Sequence, residues 1–142
     1  MEKKEVTVDY TDGMAFNGKV AQFDIHMDAK PEVGGLDKGP TPKPLLLVSL
    51  GGCTGMDVVS LLKKMRQEYD SYKMKISGEQ TDEHPKHYHK IHVEYIFEGE
   101  SLDEGKVKKA VDLSQEKYCG VSYMLKQAAE LTYSITINGS TI

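Results

Sequence analysis

The side chains able to do chemistry are few and far apart. The chain has two cysteines, Cys53 in "LGGCTGMDVVSLLKKM" (Leu50 to Met65) and Cys119 in "KYCGVSYML". They form neither a Cys-x-x-Cys unit nor a zinc-ligand set, which leaves two options: thiolate chemistry or burial as inert thiols. A thiol becomes a nucleophile when a cation or free amides lower its pKa. Cys53 falls well inside a helical stretch, where the dipole of the helix N-terminus acts weakly, so its activation requires a nearby cation. Cys119 stands at a helix end, where exposed amides favour a thiolate. Asp57 follows Cys53 by one turn, on a face continued by Ser60 and Lys64. A carboxylate beside a thiol raises its pKa, so Asp57 reads as an orienting group, or else as the partner of a lysine or of backbone amides. The run "HPKHYHKIH" holds His84, His87, His89 and His92. With only Asp82 and Glu83 beside them, these read as a solvated hairpin tip rather than a metal site. His26 is expected on the polar face of a strand.

Composition narrows the classes. At 142 residues, 39% hydrophobic and 28% charged, the chain fits one soluble domain spanning residues 1–142. A net charge of -4 gives no basic footprint for nucleic acid. The longest apolar run, Leu45 to Leu50, is too short for a bilayer, and "MEKKEVTVDY" is followed by no signal core. The expectation is a cytoplasmic protein with reduced thiols, no cofactor, and no membrane or nucleic-acid partner.

The elements that must carry these residues follow from periodicity. Val6, Val8 and Tyr10 alternate with polar residues, as do Ala21, Phe23, Ile25 and Met27; with Met14 to Lys19 between, they predict a three-stranded meander. Residues 31–40 form a Gly- and Pro-rich loop. Thr41 then caps one long helix, about Pro42 to Glu68. Two strands follow around Met74 and Ile76, and around Ile91 to Phe97. Ser101 and Glu104 form a capping box for a helix that ends near Gly120. Ser122 caps a short helix, about Tyr123 to Glu130, and Tyr133 to Ile137 form the last strand. The order βββ-α-ββ-αα-β, with strands in groups, argues α+β with antiparallel sheets. The long helix is apolar around most of its circumference from Leu45 to Leu62. A helix of that kind is covered on all sides, and a second copy of the chain would supply the cover. Its glycines Gly51, Gly52 and Gly55 would then let another helix approach closely.

"GPTPKPLLLVSLGGCTGMDVV" (Gly39 to Val59) and "KYCGVSYML" (Lys117 to Leu125) resemble the two cysteine motifs of the OsmC/Ohr family. The element order is similar too, so the resemblance extends over nearly the whole chain, to a less characterised OsmC-like branch. It implies an intertwined homodimer, with antiparallel sheets wrapped around long central helices. It implies thiol-dependent reduction of organic hydroperoxides, with Cys53 oxidised to a sulfenic acid and Cys119 condensing with it to a disulfide. An external dithiol, in some members a lipoyl protein, restores the thiols. The family pattern also places an arginine before the long helix and a glutamate near its start. Here the only arginine is Arg66, after Cys53, and the helix start reads Pro42-Lys43-Pro44. Lys38 and Lys43 are the remaining candidates for the supporting cation, without the bidentate fork of arginine. Three readings therefore stand open: a hydroperoxide reductase; a redox-sensing or small-ligand-binding dimer without efficient turnover; and a structural dimer with inert thiols.

Overall fold

The computed structural model describes all residues 1–142, which form two compact units, residues 1–46 and 47–142. The first holds the expected meander: β1 (Thr7–Tyr10), β2 (Phe16–Val20) and β3 (Phe23–Met27), all antiparallel. Its strands leave Val8, Tyr10, Phe16, Val20, Phe23 and Ile25 exposed. His26 is exposed, opposite Asn17 in the register. The loop after β3 is organised by Asp28, a buried carboxylate that accepts the backbone N–H groups of Ala29 (2.7 Å), Leu36 (3.2 Å) and Lys38 (3.2 Å). These bonds, that of Ala29 foremost, hold its carboxyl below the usual carboxylate range.

The long helix, α1, runs Pro44–Lys64, inside the expected Pro42 to Glu68. Pro44 opens it, at a position where its missing N–H leaves no intrahelical bond unmade. The preceding turn is closed by Leu45 N–H to the Pro42 carbonyl and Leu46 N–H to the Lys43 carbonyl, both 3.0 Å. Its end is a Schellman turn. Arg66 takes the left-handed conformation (φ 59°), with Arg66 N–H on Lys63 O (3.1 Å) and Gln67 N–H on Leu62 O (2.9 Å). By length and apolarity this 21-residue helix would cross a bilayer. Here its stripe Leu50, Gly51, Thr54, Gly55, Val58 and Leu62 is buried in the protein.

The second unit stacks helices on a four-stranded sheet ordered β4-β5-β6-β7: β4 (Ser71–Gln80), β5 (Tyr88–Glu98), β6 (Glu130–Ile137) and β7 (Ser140–Thr141). Alternation decides the core. Ile91, Val93, Tyr95 and Phe97 of β5 are at most 2% exposed, and pack with Leu50, Val58 and Leu62 of α1 and with Val107, Ala110 and Val111 of α2 (Glu104–Leu113). Tyr72 and Phe97, cross-strand partners, stack with ring centroids 4.3 Å apart. The sheet departs from the expected antiparallel pattern at one place: β6 pairs with β5 in parallel. The helical segment between them, residues 104–126, is the crossover that a parallel pair requires.

The helix caps also differ. Asp103, not Ser101, caps α2, its Oδ1 accepting Lys106 N–H at 3.0 Å. Gln67 Oε1 accepts Asp103 N–H (2.8 Å) and fixes it in the extended conformation that a cap needs. Beyond Leu113 the helix widens into a π-turn, Ser114–Tyr118, and the next helix, α3, is Gly120–Lys126. Gly120 thus opens α3 rather than ending α2, and Cys119 takes the cap position expected for Ser122.

The helix glycines are not alike. A Cβ on Gly51 would stand 2.9 Å from Ile76 Cδ1, and one on Gly55 would stand 2.7 Å from Met74 Cε. Both therefore make room for side chains of β4 of the same chain, where the sequence suggested a helix of a second copy. Gly52 faces open space. Gly51→Val should destabilise the fold by about 1–3 kcal/mol through overpacking against Ile76, read as a lower midpoint in urea denaturation.

Candidate active site

Cys53 is half-buried on α1, and Cys119 is 4% exposed at the cap of α3. Both are free thiols, and Cys53 lies near enough to Cys119 to help raise its pKa. Three backbone features hold Cys119 there. Its N–H donates to Ser114 O (2.8 Å), the bond that defines the π-turn. Its carbonyl accepts Tyr123 N–H (3.0 Å), the first bond of α3. Its Sγ accepts Ser122 N–H at 3.3 Å, so the sulfur itself caps the helix.

The electrostatics separate the two thiols. Burial pushes the Cys119 thiol up to about 11; the Ser122 amide opposes this, and contact with Cys53 and the charges of Cys53 and Asp57 add to it. The thiolate expected at this helix end is therefore not favoured, because desolvation outweighs one cap amide. Cys119 keeps its proton at neutral pH, while Cys53 is the more accessible sulfur.

Asp57 meets a hydroxyl rather than a lysine: its Oδ2 accepts Ser114 Oγ–H at 2.9 Å. It shares a cavity of about 190 Å³ with Ser60, Leu61, Lys64 and Tyr118, as the one-face spacing predicted. Lys38 and Lys43 belong to the first unit. Lys38 gives its backbone N–H, and the attraction of its charge, to Asp28; Lys43 forms the turn that leads into α1. Within the second unit the structure thus groups Cys53, Cys119 and Asp57. The histidines disperse. His87 Nδ1 meets Pro85 O (2.7 Å), His89 Nε2 meets Glu79 Oε1 (3.1 Å), and His92 bridges Thr132 (2.7 Å) and Ser134 (3.0 Å).

Around the thiols lies a buried set of polar groups that sequence reasoning passed over. Thr54 Oγ1 is 2.6 Å from Tyr95 OH and 2.7 Å from Ser114 Oγ. Gln115 Nε2 donates to Tyr95 OH (2.6 Å), and Gln115 Oε1 accepts from Ser122 Oγ (2.6 Å). Thr54, Tyr95, Ser114 and Ser122 are wholly buried and Gln115 nearly so. A polar residue in an apolar helical phase, as at Thr54 and Ser114, is the signal that would have found two of them.

The raised Cys119 value has a consequence for folding. The unfolded thiol ionises near its ordinary value of 9.0 and the native one near about 11. Between these values the unfolded chain has released a proton that the native chain keeps, which favours unfolding. The stability contributed by protonated Cys119 is full below pH 9 and falls as pH rises towards about 11. Urea denaturation of the reduced protein from pH 8 to 11 should show this loss relative to Cys119→Ser, which keeps a cap acceptor without the thiol.

Comparison with known proteins agrees with this geometry. A family model described as OsmC-like protein matches residues 35–134. Protein YhfA of Escherichia coli K12 is 36% identical over 134 residues, 94% of this chain and 97% of its own. A hypothetical protein of Aquifex aeolicus is 35% identical with a TM-score of 0.81, covering 97% of this chain and 99% of that one. The fold is also that of an organic hydroperoxide resistance protein from Elizabethkingia anophelis, at 11% identity and TM-score 0.73, covering 97% and 98%. With the paired cysteine motifs on the expected helix and helix junction, the chain belongs to the OsmC-like family.

Proposed function

We propose that this protein reduces organic hydroperoxides with its thiol pair. The observation that carries the reading is the nearness of an accessible Cys53 to a buried, protonated Cys119. Cys53 thiolate attacks the terminal oxygen of ROOH, the O–O bond breaks, and the alkoxide leaves as ROH after taking a proton. Cys53 is then a sulfenic acid. Cys119 attacks its sulfur, a disulfide forms, and the hydroxyl leaves as water with the Cys119 proton. An external dithiol, a lipoyl protein being one candidate, reduces the disulfide by exchange and is itself oxidised. The cytoplasm suits such a cycle, because it supplies reduced dithiols. Fold neighbours named as organic hydroperoxide resistance proteins support the substrate class. With a dithiol reductant, wild-type protein should consume cumene hydroperoxide in repeated turnovers and Cys53→Ser should lose that activity; equal consumption by both ends the reading.

One observation favours a second reading, a dithiol sensor oxidised once without cycling: the ionic charge acting on Cys119 from outside the pair is that of Asp57, an anion. Stoichiometric disulfide formation without turnover in the same assay would select it.

We further propose a homodimer. Val48 (67%), Met56 (76%) and Val59 (43%) are exposed on α1, with Gly52 in the same stripe facing open space. A contiguous apolar helix stripe of this kind marks an association surface. Light scattering should give a mass near twice the 15.9 kDa of one chain, and Met56→Glu should reduce it to that of one.

A further inference from the structure

The buried polar groups beside the thiols form a chain whose direction can be deduced. As a carboxylate, Asp57 only accepts hydrogen bonds. Ser114 must then spend its single hydroxyl proton on Asp57 Oδ2 (2.9 Å). The 2.7 Å bond between Ser114 and Thr54 is therefore donated by Thr54, and the 2.6 Å bond between Thr54 and Tyr95 by Tyr95. Tyr95 has no second proton, so it accepts from Gln115 Nε2, and Gln115 Oε1 in turn accepts from Ser122. Every bond points the same way: Ser122 to Gln115, Tyr95, Thr54, Ser114 and finally Asp57. The same logic fixes the amide orientation of Gln115, since a flipped amide would leave two acceptors facing each other somewhere along the line.

Both ends of this chain matter to the thiols. Thr54 and Asp57 flank Cys53 on α1 at the next residue and the next turn. Ser114 and Gln115 are the first residues of the π-turn. The Ser114 carbonyl receives the Cys119 N–H, and the Gln115 carbonyl receives Lys126 Nζ of α3 (2.6 Å). Ser122, held by Gln115, supplies the N–H on Cys119 Sγ. Two of the three contacts that hold Cys119, the Ser114 carbonyl and the Ser122 amide, thus belong to residues in the chain.

We propose that Asp57 is a positioning residue for Cys119: its carboxylate terminates a one-way hydrogen-bond chain that registers the Cys119 turn against the edge of α1 bearing Cys53. This rests on the thiol-pair reading above, but not on the hydroperoxide as substrate.

The test reverses the chain. In Gln115→Glu the new carboxylate only accepts, so Tyr95, Thr54 and Ser114 must donate towards it, and Ser114 and Asp57 are left as two acceptors in contact. Adding Asp57→Asn supplies an N–H donor at that end, and the whole chain is satisfied in the opposite direction. The readout is the rate of Cys53–Cys119 disulfide formation in reduced full-length protein treated with diamide, which is reduced to its hydrazine as it takes two hydrogens from the dithiol. Disulfide is followed by mass spectrometry. Gln115→Glu should slow it about tenfold or more, as a displaced reacting group does, and the double variant should return to the wild-type order of magnitude. A simple packing role predicts that two changes are worse than one. Gln115→Glu reacting like wild type overturns the proposal, as does a double variant that is as slow as the single or fails to fold. Should the single variant itself not fold, a folded double variant at the wild-type rate carries the proposal alone. Wild type that forms the disulfide with diamide yet does not consume cumene hydroperoxide removes only the peroxidase reading; wild type that forms no disulfide overturns both.

Discussion

The fit of β4 side chains into the glycine face of α1 is the constraint from which the rest follows. Ile76 Cδ1 and Met74 Cε reach into the places that Cβ atoms on Gly51 and Gly55 would take. Between these glycines Thr54 is wholly buried, and its hydroxyl meets the Tyr95 phenol. A glycine in a helix interior costs about 1 kcal/mol against alanine. That loss is set against the burial of Leu50, Val58 and Leu62 with the β5 side chains and against a hydrogen-bonded polar chain. Cys53 lies between the same two glycines in sequence and is half-buried.

A polar chain in such a core is stable only when complete. Each hydroxyl here is buried, and leaving one unpaired costs about 1–3 kcal/mol, so the members support one another. Cys119 lies under the same low dielectric, and that environment keeps its proton in place.

Much of this was legible in the chain. Alternation located the strands, since the inward residues of β5 are also the apolar ones, and the cysteine motifs located the helix and the junction that bear the thiols. What stayed hidden has physical causes. Period-two alternation is the same for parallel and antiparallel neighbours, so the β5–β6 pairing left no mark. The capping role of Cys119 depends on the π-turn, and the bond from residue 119 back to residue 114 is set by tertiary contacts of Ser114 and Gln115 rather than by local propensity. Gly51 and Gly55 were recognised as points of close approach, but a sequence does not say which partner approaches.

The π-turn gives this site one residue more than an α-helical turn needs. Glu116, Lys117 and Tyr118 all face solvent, so the surplus is carried on the surface. Removing one of the three would turn the bond from Cys119 N–H to Ser114 O into an ordinary four-residue closure, and the phase of the chain beyond it would be kept. The turn is thus a single-residue insertion taken up within a helix, its excess displaced to solvent while Ser114 and Cys119 at its two ends stay in the buried interior.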